Sequence, residues 1–341
     1  MKKLFWLNKL LFILNSLFAF LLLLSYLIPF ISPNRFPTIS IFSLVVPVLI
    51  IVNILFSIYW VIKLKKQFLL STLILLVGFQ YINSLYKISE KKILLNDDVK
   101  IMSYNVRVFN IYKWKKEGKE ETLKLVKDFI KEKDPDIICF QEFLTAYDVN
   151  FDYKYKFINN NPNKDISYFG QAIFSRYEII NSGSLNFNSL ANNAIFVDLV
   201  KNNDTVRIYN VHLESQKIQL NKENFGEKDS DKLLKRFQNT FKKQADQAEK
   251  LLAHEETSNY KTIICGDFNN TAFSYVYKQL KNSKKDAFID AGKGFGKSYD
   301  YIFPARIDFI LTDKNITINN FKTFDIQYSD HFPVMARLNF D

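Results

Sequence analysis

The chain is poor in the residues that staple or loosen a fold: of 341 residues, 2 are Cys, 9 Gly, 8 Pro and 3 His. Two cysteines exclude a small disulfide scaffold, and so little Gly and Pro excludes a collagen-like repeat. An apolar share of 48%, with 33 Phe, excludes a disordered chain. Acidic residues are scarce at the start, where the stretch up to Asp98 holds 10 basic and 3 acidic side chains. Beyond it the balance is near even, 36 basic against 32 acidic, so the net +11 gives little support for nucleic-acid binding.

Charge is missing altogether from three long stretches, Leu10–Asn34, Phe36–Ile62 and Gln67–Tyr86. Each supplies the roughly 20 residues that a helix needs to cross a bilayer. The third is the weakest, because Gln67, Gln80 and Asn83 interrupt it. The first apolar run exceeds a signal-peptide core and has no small-residue cleavage site after it, which predicts an uncleaved anchor. Lys2, Lys3 and Lys9 precede the first span, and Lys63, Lys65 and Lys66 join the second to the third. The positive-inside rule puts both regions in the cytoplasm and everything after Tyr86 outside, against the pull of Lys87, Lys91 and Lys92. The expected organisation is a multi-pass cell-membrane anchor with three transmembrane helices over 1–92 and an extracytoplasmic catalytic domain over 99–341.

From Val99 the pattern changes to short strand signals between amphipathic stretches. Strands are predicted at Lys100–Tyr104, Asp136–Phe140, Gln171–Phe174, Ala194–Leu199, Val206–Val211, Lys261–Cys265, Ile307–Leu311 and Val334–Leu338. Helices are predicted at Glu120–Lys133, ended by Asp134-Pro135, at about Asp231–His254, and at Ser274–Leu280 with a cap from Thr271 or Ser274. The lysine-rich stretch Lys217–Lys250 reads as a solvated helix face. Cys139 and Cys265, inside apolar runs, read as small buried hydrophobes. The pattern fits an α/β fold, a single two-sheet sandwich with helices outside.

Polar residues stand at the ends of successive predicted strands: Ser103-Tyr104-Asn105, Gln141-Glu142, Asn210-Val211-His212-Leu213-Glu214, Gly266-Asp267-Phe268-Asn269, Arg306-Ile307-Asp308 and Ser329-Asp330-His331. One such ending reads as a turn or cap. Six in one domain, holding two of the chain's three histidines, point to chemistry. The types suit metal-assisted hydrolysis of a phosphate ester. Glu142 and Asp330 supply hard oxygen ligands for a divalent cation. An Asp–His couple provides a base for water, and Asn105, Asn269 and His212 stabilise charge developing on phosphorus.

In this order the motifs resemble the endonuclease/exonuclease/phosphatase (DNase I-like) superfamily over essentially all of Val99–Asp341, and the apolar segments ahead of them resemble its membrane-anchored bacterial branch. The resemblance implies a four-layer two-sheet α/β sandwich with the site at one edge of the sheets. It implies Mg²⁺ or Mn²⁺ on Glu142, with Asn105 and Asp330 nearby. Asp267 would activate water, Asn269 hold the phosphate, His331 braced by Asp308 contact the phosphate or shuttle the proton, and His212 stabilise the transition state or leaving group. The residues alone make His331 the base, the family the motifs resemble is divided between the Asp and the His, and Asp267 ranks slightly higher, so both stay open at this point. The acid that braces the first histidine in DNase I-like enzymes is missing beside Phe174-Ser175-Arg176-Tyr177. Glu214 is the candidate substitute, and Arg176 and Tyr177 are candidates to line the cleft.

The expected function is a membrane-anchored, metal-dependent phosphoesterase, most simply a nuclease-like phosphodiesterase acting on phosphodiester or phosphomonoester bonds. A lipid-headgroup phosphodiesterase of sphingomyelinase type, working on the lipid bilayer itself, is one alternative. A non-catalytic tethered binding module is the other, and it would have lost motif residues, whereas none is lost.

Overall fold

A computed structural model describes residues 5–145, 149–159, 169–189, 191–202, 204–216, 227–301 and 303–340. The chain is helical up to Leu85 and mixed α/β from Val99 onward. Helix α1 (Trp6–Ser25) continues as a 3₁₀ turn to Phe30. Then follow α2 (Pro37–Ile41), α3 (Val46–Ile62), α4 (Phe68–Val77) and α5 (Phe79–Leu85). Of these, one helix, Trp6–Phe30, is by itself long and apolar enough to cross a membrane. The second and third predicted spans are bent pairs, broken by 52° before α3 and by 78° between α4 and α5. The sharper bend falls at Gly78, where an added Cβ would sit 2.0 Å from the Tyr26 hydroxyl.

The helices present large apolar side chains outward and bury their polar ones against each other. Trp60 Nε1 donates to Asn15 Oδ1 (2.8 Å), Asn15 Nδ2 to Ser71 Oγ (2.6 Å), and Ser71 Oγ to Asn53 Oδ1 (2.9 Å). Asn53 in turn caps Phe18 O and Leu49 O. These bonds satisfy the buried polar groups and tie α1, α3 and α4 together.

The α/β part is built from β1 (Val99–Asn105), α6 (Lys119–Lys133), β2 (Ile137–Leu144), β3 (Tyr155–Asn159), β4 (Phe169–Ser175), β5 (Glu178–Ser184), β6 (Asn193–Lys201), β7 (Asp204–His212), α7 (Glu227–Glu255), β8 (Lys261–Asp267), α8 (Tyr275–Lys281), β9 (Lys285–Asp286), α9 (Ala287–Ala291), β10 (Asp308–Thr312), β11 (Thr317–Thr323) and β12 (Val334–Asn339). Two six-stranded sheets run in the orders β11-β12-β1-β2-β4-β3 and β5-β6-β7-β8-β10-β9. Most of their central strands, such as β1, β2 and β8, are buried on both faces and read as largely apolar runs whose alternate residues serve different layers. Ile101, Ile137, Cys139, Ile263, Cys265 and Ile310 fill the space between the sheets. Met102, Ile138 and Phe174 pack outward on Val126 and Ile130 of α6, and Tyr209 and Ile264 on Ala248 and Leu251 of α7. The result is the expected four-layer sandwich, helix, sheet, sheet, helix. Both cysteines are free thiols in its centre.

Local signals act as read. Helix α6 stops at Asp134, left-handed at φ 51°, before Pro135, and Ser274 rather than Thr271 caps α8 by accepting from Tyr277 N. Helix α7 starts before the predicted Asp231; residues 217–226 of the lysine-rich stretch lie outside the described residues. His254 near its end bonds the Tyr209 hydroxyl through Nδ1 (2.8 Å) and fastens α7 to the sheet, away from the site.

The two parts are in contact. Leu85 shares a buried cluster with Leu22, Val46 and Phe273, and Tyr81 stacks on Phe273. After Leu85 the chain already runs along the α/β part: Lys87 pairs with Gly294, and the Lys91 amine donates to Ile318 O (2.5 Å).

Candidate active site

Parallel pairs β1–β2 and β7–β8 aim four strand ends at the same edge of the sandwich. Asn105 ends β1, the Gln141–Glu142 bulge interrupts β2, and His212 and Asp267 end β7 and β8 side by side. Asp308 begins β10 opposite Asp267, and His331 precedes β12. Two backbone departures aim the acids. Glu142 adopts φ 48° in the bulge, a device that redirects a side chain. Before Asp267, Gly266 takes φ 140°, and a Cβ there would lie 1.9 Å from Val211 O.

The predicted residues do converge. Asn105 Nδ2 reaches both Asp267 Oδ2 (3.1 Å) and Glu142 Oε1 (3.3 Å). His212 Nε2 lies 3.7 Å from Asp267 Oδ2 and 3.8 Å from Glu142 Oε1. His331 Nε2 lies 3.6 Å from that same Asp267 oxygen, while its Nδ1 is 2.9 Å from Asp308 Oδ2. Asn269, left-handed at φ 50°, gives its backbone N–H to Asp267 Oδ1 (2.8 Å) and one amide N–H to Leu213 O (2.9 Å). Of these, Glu142, Asp267, Asn269 and His331 border a cavity of about 380 Å³ that also meets Asp330 and Tyr299.

Burial sets the protonation pattern. It pushes Asp267 up to about 6; His331 opposes the rise and Asp308 adds to it. Burial also opposes charge on His331, but Asp308 and Asp267 outweigh it and hold the ring up at about 10, a standing imidazolium. His212 goes the other way, its pKa lowered chiefly by burial, and stays neutral. Burial and repulsion from Asp330 raise Glu142.

That repulsion is the test for a metal. Asp267, Asp308 and His331 form a tight acidic group with ligand atoms within 4.8 Å of one another, but the 2.9 Å bond commits two of them to each other. Glu142 and Asp330 instead present side chains 27% and 22% exposed toward the cleft, and, beyond burial, the Asp330 carboxylate, itself paired with Arg107, raises Glu142. With the Asn105 amide beside them, this donor set fits a hard divalent cation.

Other residues stand differently from expectation. Arg176 and Tyr177 do not line the cleft. They follow β4, which runs antiparallel to β2 and ends opposite Ile137, so they lie at the far edge, where Arg176 pairs with Asp134 and Asp136. Glu214 lies beyond the end of β7 and does not brace His212 by a direct bond; its Oε1 accepts from Lys243 (3.0 Å). Sequence reasoning missed two groups. Arg107 pairs with Asp330 (2.9 Å) and stacks on Trp114, from a left-handed turn in which Arg107, Val108, Phe109 and Asn110 all have φ of 43–60°. Four such residues are strained, and buried Phe109, packed on Phe140 and Phe143, helps to hold them. Tyr299 packs its ring 4.9 Å from that of His331; the clustering of Phe295, Tyr299, Tyr301 and Phe303 was its available signal.

Residues 102–331 match the profile described as "Endonuclease/Exonuclease/phosphatase family", and residues 8–85 match one described as a domain of unknown function, DUF8431. No curated protein matches the chain in sequence. Among solved structures it is similar to the human Nocturnin catalytic domain with bound sulfate, at 17% identity, TM-score 0.54, and 76% of this chain and 98% of that one covered. It is similar to a Bacteroides thetaiotaomicron mannosyl-6-phosphatase at 17% identity, TM-score 0.51, with 71% and 100% covered. The corresponding figures for D. rerio TDP2 complexed with a single-strand DNA product are 16%, 0.52, 72% and 100%. At such identities the likeness shows the fold alone.

Proposed function

The chain belongs to the endonuclease/exonuclease/phosphatase family, and from that premise we propose that it is a membrane-anchored, divalent-metal-dependent phosphoric ester hydrolase. The observation that carries this reading is the placement of Asn105, Glu142, His212, Asp267, Asp308 and His331, from both sheets, around one edge cleft.

Asp267 is the base: His331 already carries its proton between two carboxylates and cannot take another. Water gives a proton to Asp267 as its oxygen bonds to phosphorus. The P–O bond to the alcohol breaks, and the departing oxygen takes a proton from the imidazolium or from solvent. Asp308 fixes the ring so that Nε2–H faces the phosphate side. Asn105 spaces Asp267 from Glu142, His212 offers a neutral ring to the developing charge, and the second amide N–H of Asn269 can meet a phosphate oxygen. Glu142 and Asp330, with Asn105, would hold Mg²⁺ or Mn²⁺. When bound, that cation neutralises charge on the phosphate oxygens.

A multi-pass, extracytoplasmic arrangement is supported by where the first loop goes. Asn34 donates to Asp246 and Gln238 to Thr38, so the turn that ends the first apolar segment and α2, at the start of the second, dock on α7. The catalytic part therefore lies on that loop's side, opposite Lys63, Lys65 and Lys66, which requires the third segment to cross. The test is hydrolysis by the full chain in detergent, with Mg²⁺ or Mn²⁺, of bis-p-nitrophenyl phosphate, DNA, RNA and phospholipid. Cleavage that EDTA stops is expected; no cleavage of any of them would overturn the reading.

A further inference from the structure

The catalytic cleft is not made by the catalytic domain alone. The same cavity that meets Glu142, Asp267 and His331 is walled on its far side by Leu44, Pro47 and Val48 at the head of α3 and by Leu85 at the end of α5. Phe295 and Phe303 extend this apolar wall from the loops before β10. The wall is fixed in place. Arg306 pairs with Asp286 (2.7 Å) and donates to Ser84 O (3.3 Å), Tyr86 packs edge-on to Phe295, and Leu85 is buried with Phe273. The cleft lining thus combines the carboxylates and imidazole with an aliphatic and aromatic surface that includes the start of α3.

We propose that the substrate is a lipid phosphoester taken from the bilayer, its phosphate at Glu142, Asp267 and His331 and the first part of its apolar chain against Leu44, Pro47, Val48, Leu85, Phe295 and Phe303. This rests on the phosphoesterase reading and names its substrate class. A water-soluble nucleic acid would find no use for the wall. Val48 is 44% and Phe295 37% exposed, so apolar surface stands uncovered at the mouth of a charged site. A nucleic-acid site instead lines its cleft with cations. Among the described residues lining this cleft, Arg306 is buried and paired with Asp286, and the His331 imidazolium is held by Asp308, so neither is a free cation for a phosphate backbone. Apolar contact next to the reacting group gives discrimination by chain length, because each buried methylene is worth roughly fourfold in binding.

The experiment uses the full chain in detergent with Mg²⁺ and a series of alkyl p-nitrophenyl phosphodiesters from ethyl to octyl, all soluble as monomers. The expected result is a rise in kcat/KM of tenfold or more along the series, and a flattened slope in Phe295→Ser and in Val48→Asn. A flat series in the wild type, with the ethyl ester still cleaved, overturns the lipid inference and leaves the phosphoesterase reading standing, as would a DNA oligonucleotide cleaved far better than the octyl ester. Cleavage of no ester overturns the phosphoesterase reading itself. Independently of turnover, a phosphatidic acid with a diazirine on its acyl chain, in nanodiscs holding the full chain, should label residues 44–48, Leu85 or Phe295. Label confined to the outer faces of α1, α3 and α4 would overturn the inference.

Discussion

Nδ1 of His331 lies 2.9 Å from Oδ2 of Asp308, while Nε2 of the same ring lies 3.6 Å from Asp267. One imidazole therefore bridges two buried carboxylates at the ends of neighbouring antiparallel strands. An unpaired charge at either acid would be costly, so the ring is a counter-ion as well as the proton donor of the proposed mechanism.

Asp308→Asn should keep the fold and lose roughly 10²–10⁴ in turnover, the span of acid–base assistance. His331→Ala should lose at least as much, and the double variant little more, because members of one unit are not additive. Losses that multiply in the kcat of the three variants would show that the two residues act independently.

Glu142 carries the metal expectation. Glu142→Ala should leave the circular dichroism spectrum unchanged while abolishing hydrolysis and Mg²⁺ binding in calorimetry. Full activity of that variant, or of the wild type in EDTA, would remove the metal from the mechanism.

The base is separable by pH. Burial pushes Asp267 up to about 6, and its charged form accepts the proton from water, so kcat/KM should fall as pH drops through that value. A cation on Glu142 favours the carboxylate and can only lower the limb. With saturating Mg²⁺ the acid limb is therefore expected at or below about pH 6. A limb lying well above it would assign the base to another group.

How far the sequence carried these conclusions follows strand position. The eight predicted strands are the eight central ones, most of which are largely apolar because both faces are covered, whereas β12 alternates. The four missed, β3, β5, β9 and β11, are the four sheet edges. Edge strands such as Glu178–Ser184 are half solvated and read like loops. The site was legible where a motif ends a central strand. It was illegible at Arg107, whose left-handed turn no local residue type announces, and at Arg176, where a polar residue ends a strand running the other way. The anchor wall of the cleft could not be read, since it depends on packing between segments over 200 residues apart.

Gly266 tests the backbone argument. With φ 140° and Val211 O where a Cβ would stand, Gly266→Ala must distort the end of β8 and displace Asp267. A cost of about 3 kcal/mol is expected, which lowers Tm by roughly 6–12 °C in a domain of this size. Gly118→Ala, with open space around the site though at the N-cap of α6, should cost far less. Equal melting of the two variants would refute the close approach.

The topology is open to a direct measurement because both native cysteines are buried and will not react. Lys66→Cys marks the loop between α3 and α4, and Lys314→Cys an exposed point between β10 and β11. In the proposed topology the border lysines put the first inside the cell, and the docking on α7 puts the second outside. The third apolar segment decides between the two arrangements: α4 is only 10 residues long, and α5 turns away from it by 78°, so its crossing depends on α4 staying packed on α3. The bond between Ser57 and Thr72 (2.7 Å) and the buried Asn53–Ser71 pair hold it there. A membrane-impermeant maleimide on intact cells should modify Lys314→Cys and spare Lys66→Cys until the membrane is opened. Labelling of Lys66→Cys alone would invert the orientation. Protection of both would put the third segment back on the cytoplasmic side, with the catalytic cleft facing the inner leaflet.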